Sequence, residues 1–181
     1  MKTEAFANSK IGQLFIRIMA AIMESRFRYR FFGPMKILQG AEIHPGQAVL
    51  EVGCGTGFFT ITAAQLIGNQ GTLVAMDVLP VSVETVSKKV QTARLKNVRV
   101  VKGDAMDTKL DTESMDVVLL FGVIPAPMLP LDRLLPEMHR ILKPGGIMAV
   151  WPPSWVLQSI HRSDLFTYVS KRNNVFNFRR C

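Results

Sequence analysis

"VLEVGCGTGFFT", residues 49–60, joins an apolar run, one acid and three glycines at alternate positions to an apolar segment with helical potential. A glycine-rich turn between a strand and a helix lets the backbone approach a ligand closely and points to a nucleotide. The dinucleotide fingerprint G-x-G-x-x-G needs its third glycine later than this chain supplies it: Gly53, Gly55 and Gly57 are one residue tighter. Glu51, just before the glycines, would repel a pyrophosphate and attract a cationic amino-acid moiety.

Outward from this turn, the chain alternates between short apolar runs and helical stretches. The runs "AVLEV" (48–52), "TLVAMD" (72–77), "VRVVKGD" (98–104), "DVVLLF" (116–121) and "GIMAVW" (146–151) read as strands. They are near-continuously apolar, as expected of a parallel sheet covered on both faces. Helices are predicted over Phe58–Ile67, Val81–Leu95 and Leu131–Leu142, which makes the class α/β with a doubly wound sheet. No long helix is predicted between the third and fourth strands. The end of the chain, "FTYVS-KRNN-VFNFRR", reads as a hairpin turning on Asn173-Asn174, because asparagine tolerates positive φ.

Before the first strand, Ile11, Leu14, Phe15, Ile18, Met19 and Ile22 recur at helical spacing. Gly33-Pro34 breaks the pattern, and a short helix is predicted from Pro34 to Gln39. The segment Ile11 to Met23 is too short to span a bilayer and is interrupted by Gln13 and Arg17. Arg17 also argues against a signal peptide.

At 181 residues and 48% hydrophobic, the chain has the size and composition of one globular domain. Two cysteines, Cys54 and Cys181, are too few for a disulfide framework or a multi-cysteine zinc site. The expectations are a reducing, cytoplasmic setting and no metal. Net charge is +8, and the excess lies at the two ends. Residues 1–40 hold seven Lys/Arg against two acids, 41–150 ten against eleven, and 151–181 five against one. A duplex-binding protein more often carries a basic stripe through its working domain. Basic ends suit an anionic substrate or membrane surface equally well.

"VLEVGCGTG" (49–57) resembles motif I of the class I S-adenosylmethionine-dependent methyltransferases. The resemblance continues in "AMDVLP" (75–80), "VVKGDAMD" (100–107), "DVVLLFGVI" (116–124) and "LKPGGIMAV" (142–150), covering residues 44–151 and the closing hairpin. Its tone is that of the ubiquinone and menaquinone biosynthesis branch. It implies a Rossmann-like, mostly parallel seven-stranded sheet of order 3-2-1-4-5-7-6, with S-adenosyl-L-methionine as cofactor. It implies in-line attack of an acceptor atom on the sulfonium methyl, releasing S-adenosylhomocysteine. The cofactor-binding residues it implies are Glu51, Gly53, Cys54, Gly55 and Gly57 around the methionine part, and Asp77 with Val78 at the ribose. Asp104 and Ala105 would meet the adenine, and Phe121 would complete the set. One carboxylate at Asp77 can accept hydrogen bonds from both hydroxyls of a vicinal diol.

The bland readings stand beside these. Asp77 and Asp104 could cap helices. Cys54 reads as a small residue filling a tight turn. His139 reads as packing or capping, and His44 as loop. "WPPSW" (151–155) lacks the Asp or Asn of an amino-methylating Pro-Pro motif, so its prolines read as a strand stop and helix start. "FGVIPAPMLP" (121–130) is apolar, without acid, base or nucleophile, which fits transfer by positioning and desolvation. No catalytic residue is assigned.

The domain organisation expected is a helical lid or extension over 1–40 and a cofactor-binding methyltransferase domain over 41–181. The leading helix reads as a lid. The competing reading is a peripheral contact of residues 1–30 with the inner membrane face, its apolar side in lipid and its basic flanks on headgroups. The favoured acceptor is a small molecule or lipid. The alternatives are an RNA or protein methyltransferase and a cofactor-binding partner protein without activity.

Overall fold

The computed structural model describes residues 33–123, 130–151 and 157–181. The expected leading helix, most of the apolar loop after the fourth strand and the prolines of "WPPSW" lie outside the described residues. The elements in order are α1 (Pro34–Leu38), β1 (Ala48–Val52), α2 (Thr60–Ile67), β2 (Thr72–Asp77), α3 (Pro80–Thr92), β3 (Val98–Lys102), β4 (Met115–Phe121), α4 (Leu131–Ile141), β5 (Leu142–Trp151), α5 (Leu157–His161), β6 (Phe166–Arg172) and β7 (Val175–Arg180).

The seven strands form one sheet in the order β3-β2-β1-β4-β5-β7-β6, as the resemblance implied. The first five are parallel, and β7 runs antiparallel between β5 and β6. Alternate side chains point to opposite faces of such a sheet. Leu50, Val52, Val74, Met76, Val118 and Met148 face one way, against Leu134, Leu135, Met138 and Ile141 of α4 and Ile160 of α5. Val49, Leu73, Val117, Leu119 and Ala149 face the other way, against Ile37 and Leu38 of α1 and Ala63, Ala64 and Ile67 of α2. Ala75 meets Val86 and Val90 of α3 on that second side. The strands read as continuously apolar because both faces are covered.

Several boundaries differ from expectation, each for a local reason. α2 begins at Thr60, two residues late, because Gly57, at φ +82°, donates its N–H to the Cys54 carbonyl at 2.8 Å and holds the chain in a turn. α3 begins at Pro80, whose fixed φ suits a first helical position, and ends before Arg94, which adopts φ +54°. β3 stops at Lys102, and Asp104 instead forms an isolated bridge with Asp107. β5 begins at Leu142, so "KPGG" is a bulge inside the strand, with the register slipping between Met115 and Val117. Lys143 Nζ donates to Asp116 Oδ1 at 2.7 Å across that bulge. A Cβ on Gly146 would sit 2.9 Å from the Lys143 carbonyl oxygen, so this close approach requires glycine.

The hairpin β6–β7 turns where expected, with Asn173 and Asn174 at φ +49° and +62°. Its second strand also anchors α1. Asn177, fully buried, donates from Nδ2 to the Gly40 carbonyl at 2.7 Å, and Asn173 Nδ2 donates to the Lys36 carbonyl at 2.6 Å. Residues 34–41 therefore share the core of the sheet through Ile37, Leu38 and Ala41.

Candidate cofactor site

Parallel sheets of this kind take ligands at the carboxyl ends of their strands. At the ends of β1 and β2 the glycine turn and two acids meet. Gly53, Gly55 and Gly57 all have positive φ, at +67°, +54° and +82°. A Cβ on Gly53 would collide with Val123 Cγ1, so the chain leaving β4 closes directly on the turn. The Cys54 N–H donates to the Met76 carbonyl at 3.0 Å, tying the turn to β2. Asp77 completes the tie: Oδ2 accepts from the Gly55 N–H and Oδ1 from the Leu79 N–H, each at 2.9 Å. Burial raises the Asp77 carboxyl above its usual range, against the hydrogen bonds from Leu79, Gly55, Ser82 and Val78. Asp77 thus organises the turn that it would also help to serve.

Glu51 lies on the second face of the sheet and is only 2% exposed. Its Oε2 accepts a hydrogen bond from Thr60 Oγ1 at 2.6 Å. Burial pushes its carboxyl up to about 8; Thr60 opposes this and the charge of Asp77 adds to it. Within the turn, the Thr56 hydroxyl is buried with no hydrogen-bond partner among the described residues. Such an orphan marks a position that a ligand can satisfy. The turn therefore offers an approachable backbone, an unmet hydroxyl and two buried acids. That donor set fits a ligand with cationic and hydroxyl groups, as S-adenosylmethionine is.

Cys54 is buried, and burial pushes its thiol well above the usual range, so it is a packing residue and not a nucleophile. Val78 is half-buried beside Asp77. Asp104 is exposed, its Oδ1 accepting the Met106 N–H at 2.9 Å, and Ala105 beside it is buried among the residues of the first face. Phe121 is buried at the end of β4, its ring 5.0 Å from Phe59 and 6.5 Å from Trp151. His139 packs edge-on to Phe166 and bonds the Cys181 carbonyl at 3.1 Å, a packing role.

Sequence reasoning misses three features. Thr56 lies inside the glycine motif without a predicted role. Thr60, nine residues beyond Glu51, looks like an ordinary helix start. The third is a clamp on the connection between β3 and β4. Glu137 Oε1 accepts from the Thr108 N–H and hydroxyl at 2.8 and 2.6 Å. Arg140 bonds both Glu137 oxygens at 2.8 Å, the Leu110 carbonyl at 2.8 Å and Thr112 Oγ1 at 3.1 Å. The clamp fixes the connection that carries Asp104 and Ala105. No spacing rule links Thr108 to Glu137, since the pair forms only when α4 docks.

A separate cavity of about 290 Å³ lies between α5 and the hairpin, lined by Leu157, Gln158, His161, Tyr168 and Phe178. It adjoins β6, at the opposite edge of the sheet from β3.

The fold and the turn define a nucleotide-fold domain built for a cationic nucleoside ligand. Residues 49–146 match the family described as "Methyltransferase domain", and the chain belongs to that family. It is 36% identical over 115 residues to a demethylmenaquinone methyltransferase of Staphylococcus epidermidis, covering 62% of this chain and 45% of that relative. The chain thus spans under half the length of the curated relatives it matches. Among solved structures, a SAM-dependent methyltransferase from Aquifex aeolicus superposes with a TM-score of 0.74 at 24% identity, covering 91% of this chain and 95% of the other. The [4+2]-cyclase SpnF superposes with a TM-score of 0.65 at 24% identity, covering 74% and 56%. At that identity these two speak for the fold alone, and the cyclase is a reminder that one fold hosts different chemistries.

Proposed function

We propose that this chain is an S-adenosylmethionine-dependent methyltransferase acting on a small molecule or lipid. The observation that carries this is the glycine turn, with its orphaned Thr56 hydroxyl and the buried acids Glu51 and Asp77 at the ends of β1 and β2. When bound, the cofactor supplies a methyl group activated by a sulfonium charge. The residues we assign to holding it are Glu51, Gly53, Cys54, Gly55 and Gly57 on the methionine side and Asp77 with Val78 at the ribose. Asp104 and Ala105 take the adenine, and Phe121 closes the β4 side.

Phe59, Phe121 and Trp151 form an aromatic cluster at the ends of β4 and β5, which supports an apolar or aromatic acceptor. The relatives named for demethylmenaquinone favour a quinone-like ring within that class. We place the work in the cytoplasm; of the expected lid over 1–40, residues 34–40 pack into the core of the sheet, and the lid role is kept for the residues before them. No helix among the described residues is long and apolar enough to cross a membrane. Peripheral contact through residues 1–30 is the competing role for that segment, tested by flotation with anionic vesicles before and after its removal.

Incubation with methyl-labelled cofactor and separate pools of quinones, lipids, thiols and RNA tests the acceptor. Label entering the quinone or lipid pool supports the reading, and label entering RNA alone overturns it. Replacing Asp77 with Ala should weaken S-adenosylmethionine binding by about 1–3 kcal/mol, the cost of stranding its hydrogen-bond partners. Unchanged affinity by calorimetry would remove Asp77 from the site.

A further inference from the structure

The environment of Glu51 is poor for a carboxylate. Its register partners are Ala75 on β2 and Leu119 on β4, both fully buried and apolar. From α2 it receives the Thr60 hydroxyl, with Ala63 and Ala64 on the same helix. A carboxylate has about four acceptor positions, and the Thr60 hydroxyl fills one of them. The charged neighbour acting on it is Asp77, at the end of β2, and it carries the wrong sign. The Cys54 thiol, in the turn, is held un-ionised by the same surroundings. α3 brings Lys89 towards the turn, its Cδ 3.7 Å from a Cβ placed on Gly57. Burial, with the charge of Asp77 adding to it and the Thr60 hydroxyl opposing it, pushes the Glu51 carboxyl up to about 8.

We propose that Glu51 and Thr60 form a proton-linked charge socket. Entry of the cationic cofactor expels one proton from the buried Glu51 carboxyl to solvent, and the Thr60 hydroxyl holds the resulting carboxylate in place. This rests on the cofactor reading above. The O–H bond of Glu51 breaks, the electron pair stays on the carboxylate, and the proton goes to buffer. Thr60 acts through Glu51 and is a positioning residue. Its donor stabilises the ionised form, so removing it makes ionisation harder. Binding near pH 7 is then weaker than at pH 9, because the proton must first leave.

The test is calorimetric titration of S-adenosylmethionine into the wild type, Glu51→Gln and Thr60→Val, from pH 6.5 to 9.5. Phosphate and Tris buffers, which differ in ionisation enthalpy, report the number of protons released. The amine of the cofactor titrates alike in all three proteins, so the difference between wild type and Glu51→Gln isolates Glu51. Near pH 7 the wild type should release close to one proton more than Glu51→Gln. Its affinity should rise by up to about tenfold per pH unit and level off above about 8. Glu51→Gln should lack that rise, and Thr60→Val should move the levelling to higher pH. Equal proton release in wild type and Glu51→Gln, or an unshifted profile for Thr60→Val, overturns the socket while leaving the cofactor reading intact. No binding of S-adenosylmethionine to the wild type at any pH overturns both.

Discussion

Two glutamates show how differently this fold treats its charges. Glu51, near the end of β1, sits among apolar neighbours with the Thr60 hydroxyl on one oxygen, and its carboxyl is pushed up to about 8. Glu137, on α4, is enclosed by Arg140 and Thr108, and Arg140 above all holds its carboxyl down at about 2. Both carboxyls belong to one domain. The clamp is complete in itself, with donors for both oxygens. The socket, in our proposal, is completed by the cationic cofactor. The difference teaches that a buried carboxyl without a cationic partner is the stronger candidate for a working site, while a matched one belongs to the scaffold around it.

The two should respond to pH in opposite directions. Glu51 has a raised folded-state value, so stability is fully present below its ordinary 4.5 and is lost as pH rises toward about 8. Relieving this gives the largest expected effect. Each tenfold change in an ionisation constant is worth about 1.4 kcal/mol, so with a rise from 4.5 to about 8 Glu51→Gln should stabilise the protein at pH 9 by on the order of 5 kcal/mol. Chemical denaturation at pH 5 and pH 9 checks it. An equal effect at both would break the contrast. Glu137 has a lowered value, so its contribution is present above 4.5 and is lost as pH falls toward about 2. Glu137→Gln should cost about 1.5–3 kcal/mol at pH 7, the range for hydrogen bonds to charged groups. The difference from wild type should shrink as the pH falls below 4.5. The smallest effect is expected at Cys54, whose thiol shares the socket's burial. A thiol reagent at pH 8 should label Cys181, which is exposed, much faster than Cys54 in the folded protein. Comparable rates would mean that the turn opens readily and that its burial does not protect it.

Much of the architecture was legible because it rests on local patterns. Five apolar runs separated by helical stretches announced the parallel sheet. The Asn173-Asn174 pair announced the hairpin, because few other residues adopt positive φ twice in succession. The strand order came with the resemblance. The polar pairings were not legible. Thr60 with Glu51, and Thr108 with Glu137 and Arg140, are brought together by the docking of helices onto the sheet. Residues that meet only in the folded state leave no periodicity in the sequence. The slip at "KPGG" was invisible for a related reason: the bulge is defined by its partner strand at Asp116 and not by its own residues.

The bond from Asn177 to Gly40 spans 137 residues, and it has a consequence for the order of assembly. β1 through β5 all lie within residues 48–151 and can pair before the hairpin is made. α1 is held by Asn173 and Asn177, so its final docking must wait for the hairpin. Contacts of such wide separation form late, because closing the intervening chain costs entropy before any contact repays it. During vectorial synthesis on a ribosome, β5 therefore spends an interval as an open edge, with the apolar face for Ile37 and Leu38 only partly covered. That interval is when the chain is most exposed to pairing with its neighbours. Shielding β5 by a chaperone during it would favour the seven-stranded sheet over aggregates.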